Sequence, residues 1–240
     1  MSLLKRILLL AVLSLCSTQA VSYDYPRPVE RLRPLVMDCY QPGLVALTFD
    51  DGPSNNFPYI LDILKRNDTP ATFFLLGKKL TEDHQVSRAL QAVEDGHQIG
   101  NHGWDHTRFT SISVAQTLEQ VNMTNQIIWD KLGVTVRFVR APHGQIDVKR
   151  AMEVWDLEQG VASWNLDPQD YKTGLLWPPQ RVLDQVKSAL EGASPTTDSF
   201  IIDLHDFSDN TTAVLEEMIQ VIKNAGFSLV SLNECVDKGR

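Results

Sequence analysis

The sequence predicts an α/β domain built on about seven parallel strands. Three observations predict it. Short β-branched and aromatic runs alternate along the chain with longer segments of helical periodicity, the pattern of a parallel sheet whose crossovers are helices. The 240 residues, 43% hydrophobic and 22% charged, have the length and composition of one large globular domain. Five of the seven predicted strands end in ionisable residues, and in parallel α/β folds ligands gather outside the carboxyl ends of the strands. The alternation alone fits both a closed barrel and an open doubly wound sheet.

Taken in order, the chain starts with a leader. Lys5 and Arg6 precede an apolar run over residues 7–15, and small and polar residues follow as far as Ala20, the layout of a secretory signal. As a helix that run spans only ~14 Å, short of a ~30 Å bilayer core, so a membrane anchor is the poorer reading. Residues 21–42 are Pro-rich and read as an irregular N-terminal arm. Strands are predicted at 45–49, 72–76, 98–100, 136–140, 161–164, 200–204 and 228–231. Helices are predicted between them at 58–66, 85–94, 114–132, 147–157, 179–190 and 212–224. The last of these has Asn210 as its expected N-cap and Gly226 as its stop. No later stretch is long and apolar enough to cross a membrane, and no repeat or linker divides the chain, so one domain is expected.

Charge and cysteines narrow the class. Lys and Arg number 22 against 30 Asp and Glu, a net charge of −8, and losing Lys5 and Arg6 with the leader makes the remainder more acidic. A general nucleic-acid binder needs a basic footprint and is excluded. Three cysteines are too few for a disulfide scaffold. Cys16 leaves with the leader, and Cys39 and Cys235 remain in an oxidising compartment. A disulfide between them is favoured over two unrelated buried thiols. Asn67, Asn122 and Asn210 each begin an Asn-X-Thr sequon, a candidate glycosylation site in a host that glycosylates.

The strand ends carry the chemistry. The first ends in Asp50-Asp51-Gly52-Pro53. Asp-Gly-Pro is turn chemistry, yet two adjacent carboxylates repel each other unless a cation lies nearby. His102 and His106 are spaced i, i+4, which on a helix or tight turn sets both imidazoles on one face. With one carboxylate they make a ligand set that leaves metal coordination positions open for water and substrate. Arg140, Asp170 and His205 end other strands on the same rim and supply a second acid/base group with charges to tune it.

The order Thr48-Phe49-Asp50-Asp51-Gly52-Pro53, His102-x-x-x-His106, Arg140-x-Pro142-x-Gly144, Asp167-x-x-Asp170-Tyr171, Leu204-His205-Asp206 resembles the polysaccharide deacetylases with a NodB-like domain, carbohydrate esterase family four. The resemblance covers residues 43–236, leaving 237–240 as a tail, and is greatest to secreted fungal chitin deacetylases. It implies a distorted (β/α) barrel. It implies a divalent metal, zinc or alternatively cobalt, on Asp51, His102 and His106. Asp50 is the implied base, Arg140 its holder, His205 the acid and Asp170 the carboxylate that tunes it. The backbone N–H of His143 is implied to meet the oxyanion, and Tyr171 and Leu204 to line an acetyl pocket. The implied activity is removal of N-acetyl groups from chitin or chito-oligosaccharides by a secreted monomer, with no nucleic-acid partner and no membrane partner once the leader is cleaved. The alternatives are O-acetyl removal from xylan, peptidoglycan deacetylation, and a non-catalytic carbohydrate-binding effector. Three positions depart from the family pattern: Gly103 replaces Ser or Thr, His143 an aromatic that is commonly Tyr, and Tyr171 a Trp.

Overall fold

The computed structural model describes residues 35–237. The predicted leader, the arm up to residue 34 and the tail beyond Asp237 lie outside the described residues. All seven predicted strands form: β2 (Leu44–Gly52), β3 (Thr72–Leu75), β4 (Gln98–Asn101), β5 (Phe138–Val139), β6 (Gly160–Ala162), β7 (Phe200–His205) and β8 (Ser228–Val230). The arm, read as irregular, contributes an eighth, β1 (Leu35–Val36). Two residues beside a Pro-rich stretch are too few to show a strand period, so the sequence concealed it.

Every strand pairing is parallel, in the order β1-β6-β5-β4-β3-β2-β7, with β8 joining the start of β2. The ring closes beyond β6, where Leu166 bridges Ile202 of β7 and the Asp203 N–H donates to the Leu166 carbonyl at 2.9 Å. A distorted barrel therefore replaces the open-sheet alternative. Around it lie α1 (Phe57–Arg66), α2 (Asp83–Glu94), α3 (Val114–Leu132), α4 (Val148–Trp155), α5 (Pro179–Glu191), α6 (Asp209–Asn224) and the short α7 (Leu232–Val236). Caps fix two of these helices. Ser113 and Gln116 form a capping box on α3, which ends at Gly133 in the left-handed region (φ 69°). Helix α6 starts earlier than expected because Ser208, not Asn210, accepts from the Thr211 N–H and is the N-cap.

Strand alternation sorts the side chains into two cores. Val45, Leu47, Phe49, Phe73, Ile202 and Leu204 face the helices. Ala46, Phe74, Phe138, Ala162 and Ile201 fill the lower barrel. Gly100 makes room there, since a Cβ would lie 2.4 Å from the Phe74 ring. Above this apolar plug the inward positions turn polar, with Thr48, Arg140 and Asp203, then Asp50, His102 and His205 at the rim. Near the lower barrel, Cys39 and Cys235 are joined in a disulfide that ties the segment after β1 to α7 across 196 residues. Among the described residues no helix is long and apolar enough to cross a membrane.

Candidate active site

Strands β2 and β7 set the frame. Asp50 and His205 are register partners in this parallel pair, so both stand at the same height on the rim. Beyond Asp50 the register between β2 and β3 shifts, and Asp51 takes a left-handed backbone (φ 70°). That kink sends the two neighbouring carboxylates to different partners.

Asp51 goes to the imidazoles. Its Oδ1 lies 3.3 Å from His102 Nε2 and 3.2 Å from His106 Nε2, and these three residues have ligand atoms close enough to share one metal ion. His102 is 2% exposed, and its Nδ1 meets the Arg140 carbonyl at 2.9 Å. A carbonyl only accepts, so Nδ1 carries the proton and Nε2 faces the cluster. Asp51 Oδ1 is buried without a hydrogen bond of its own. Burial raises the Asp51 pKa, but the approach and charge of His102, then His106, outweigh it and hold the carboxyl well below the usual range. Burial also disfavours charge on His102, but Asp50 and Asp51 overcome it and raise that pKa. Two imidazole nitrogens and an orphaned carboxylate oxygen converging on one point are a donor set that fits a divalent cation of borderline softness such as zinc.

Asp50 goes to Arg140. The guanidinium is fully buried. Its Nη1 donates to Asp50 Oδ1 at 2.9 Å, Thr48 Oγ1 at 2.6 Å and Asp203 Oδ1 at 3.2 Å, and its Nη2 to the Ser163 carbonyl at 3.0 Å. The Phe74 ring lies 4.3 Å from its Cζ and that of Trp164 5.5 Å. Asp203 had no role assigned from sequence. The available signal was its place two residues before His205, which on a strand puts both on one face. Its burial and the Asp50 charge raise its pKa well above the usual range, more than Arg140 lowers it.

Asp170 arrives from the loop after β6. One oxygen takes His205 Nδ1 at 2.8 Å, and the other takes the His205 backbone N–H at 2.8 Å and the Thr211 hydroxyl. Burial alone lowers the His205 pKa, but the hydrogen bond and charge of Asp170, with Asp203 and Asp50, push it up to about 10. Tyr171 and Phe207 both pack against this imidazole, each with ring centroids 5.3 Å away. Phe207 was not singled out from sequence.

Other expectations divide. Leu204 is corrected: β7 alternation puts it on the opposite face from Asp203 and His205, fully buried in the helix-facing core. Gly103 suits its place, since its φ of +76° is left-handed and its N–H donates to Asn101 Oδ1 at 2.7 Å. Asp206 is an unforeseen buried carboxyl whose two oxygens have no hydrogen-bond partner. Of the sequon asparagines, Asn122 is exposed. The Asn67 amide donates to the Ile63 carbonyl at 2.8 Å and that of Asn210 to the Lys172 carbonyl at 2.8 Å, so a glycan on either displaces a bond.

Comparison with known proteins converges on one family. The polysaccharide deacetylase model matches residues 38–158. The chitin deacetylase of Colletotrichum lindemuthianum is 30% identical over 207 residues, 84% of this chain and 82% of that protein. A solved structure of the chitin deacetylase from that fungus superposes with a TM-score of 0.80 at 28% identity, covering 85% of this chain and 92% of the other. The peptidoglycan-N-acetylglucosamine deacetylase PgdA of Listeria monocytogenes is 32% identical over 194 residues, 79% of this chain but only 38% of its own length. The peptidoglycan deacetylase PdaC of Bacillus subtilis superposes with a TM-score of 0.70 at 30% identity, over 85% of this chain and 92% of that structure. With half the chain under the family model and a relative matched along most of its length, this chain belongs to the polysaccharide deacetylase family.

Proposed function

We propose that this chain is a secreted, monomeric, metal-dependent hydrolase that removes N-acetyl groups from chitin or chito-oligosaccharides. One observation carries the reading: a base candidate and an acid candidate, Asp50 and His205, are register partners beside a three-ligand metal cluster. Asp51, His102 and His106 hold the cation, with zinc as the expected metal and cobalt as a substitute. When bound, the cation lowers the pKa of water and polarises the acetyl carbonyl.

The chain's own residues do the rest. Asp50 accepts the proton of the attacking water. Arg140 holds that carboxyl by one oxygen and leaves the other toward the rim, where Oδ2 lies 3.6 Å from His102 Nε2. The His143 backbone N–H is the proposed donor to the oxyanion, a contact worth ~3–4 kcal/mol in comparable sites. His205, kept charged by Asp170, delivers a proton to the departing amine, which cannot leave as an anion. Tyr171 and Phe207 form the walls beside that imidazole, the place proposed earlier for Leu204 and Tyr171.

Chitin is favoured because the fungal chitin deacetylase is matched along 82% of its own length. Peptidoglycan is the second reading, because PgdA is as similar in sequence at 32% identity. The test is acetate release by zinc-loaded protein from N-acetylglucosamine oligomers, peptidoglycan and acetylated xylan in parallel. The reading expects release from the oligomers and its loss in Asp50→Asn. Release from xylan alone, or full activity in the variant, overturns it.

A further inference from the structure

The two imidazoles of the cluster are held in different ways. His102 is locked through Nδ1 to the Arg140 carbonyl. His106 has no such bond among the described residues, and its side chain is 32% exposed. What it has instead is ring packing. Its centroid lies 5.2 Å from that of His102, and 4.3 Å from that of His143 at an interplanar angle of 52°.

His143 is placed for this contact by an unusual backbone. It sits in the turn Pro142–Gly144 with φ 60°, in the left-handed region that non-glycine residues seldom occupy. The turn lies close against Trp164, where a Cβ on Gly144 would come within 2.5 Å of the indole. His106 is itself left-handed at φ 67°. Two such residues with their rings together mark a local strain that the surrounding structure maintains, and such strain clusters at functional sites.

We infer that His143 is a positioning residue for the metal, its ring bracing His106 in the ligating orientation that His102 obtains from a hydrogen bond. The inference rests on the proposed metal reading. It assigns the effect to the ring's bulk, not to its nitrogens, so His143 is not itself a ligand. Partners that orient a metal ligand typically contribute 10–100-fold to affinity when removed, and that range is the expected effect.

The test measures zinc affinity by competition with a chromophoric chelator and the visible spectrum of the cobalt-loaded protein, independently of turnover. His143→Asn removes the ring while keeping a residue that tolerates the left-handed backbone. It should weaken zinc binding about 10–100-fold and broaden the cobalt bands. His143→Phe keeps the ring and should bind zinc more tightly than His143→Asn, close to the parent. Parent-like affinity in His143→Asn overturns the inference. So does a His143→Phe variant as weak as His143→Asn, because the ring's bulk alone would then not carry the effect. If the parent binds no zinc, the metal reading fails; if it binds and the variants behave alike, only this inference fails.

Discussion

Replacing Asp170 by Asn tests the electrostatics of the rim most directly. Asp170 is completely buried and His205 14% exposed, so the pair is little screened by solvent. His205 has its pKa raised from 6.5 to about 10, a difference equivalent to roughly 5 kcal/mol as a ceiling. The native protein holds this proton more tightly than the unfolded chain does. The stabilisation is therefore complete below about pH 6.5 and is lost as pH rises toward about 10. In Asp170→Asn the carboxylate charge is gone while the shape remains, and burial, which lowers the His205 pKa, is opposed only by Asp203 and Asp50. The imidazole should return toward 6.5. Urea unfolding of the metal-free protein from pH 6 to 10 should show parent stability falling across that window more steeply than that of the variant. NMR titration, with His205→Gln to assign the resonance, should follow the same shift, and the alkaline limb of the rate profile should move down. A parent His205 that titrates near 6.5, or equal slopes in the two proteins, would refute the reasoning.

Three further perturbations have definite signs. Gly52→Ala puts a Cβ 2.6 Å from Asp206 Oδ2 and 3.1 Å from Leu75 Cδ2; chemical denaturation should show a loss of about 1–3 kcal/mol, and unchanged stability would sink the packing argument. Asp206 has its pKa raised from 3.8 to about 7, chiefly by burial, so the unfolded chain loses its proton first and stability falls between those values. Asp206→Asn should remove that fall, at most roughly 4 kcal/mol, leaving a metal-free variant more stable than the parent above pH 7 and similar below pH 4. Reducing the Cys39–Cys235 bond opens a loop of 196 residues; thermal melts with and without reductant should differ by up to about 5 kcal/mol in the chain-entropy account, and coincident melts would show that the bond constrains little.

Most of the fold was legible because seven strands and six helices announced themselves locally, whereas β1 and α7 did not. Helix α3 matches its predicted span, residues 114–132, since Ser113 and Gly133 mark both ends. What remained hidden depended on contacts distant in sequence. Barrel closure rests on one bridge, Leu166 to Ile202, and no periodicity encodes it. The Ser208 cap won over Asn210 because the Asn210 amide is drawn to the loop over 170–177. At the site, the ionisable strand ends were visible as a set, whereas the clamp of Thr48, Asp203 and the Ser163 carbonyl on Arg140 appears only once four strands are assembled. Leu204 shows the cost of reading a motif without its pleat. One position along a strand reverses the face, and the inward residue is Asp203.

The pleat also explains how one guanidinium serves two acids. Arg140 Nη1 lies within reach of Asp50 at 2.9 Å and Asp203 at 3.2 Å, and a single cation cannot neutralise both. Asp203 is the deeper of the two in the barrel wall, and burial together with the Asp50 charge drives it toward its protonated form. Asp203 still accepts from Nη1 and fixes the guanidinium in place. Arg140 is shared between Asp50 and Asp203, and Asp51 turns its orphaned oxygen to two imidazole nitrogens instead. The acidic excess that excluded nucleic acid is thus, at this rim, a local deficit of positive charge. A proton on His102 would offset part of it, and a divalent cation held by Asp51, His102 and His106 would offset it while leaving both imidazoles neutral as ligands.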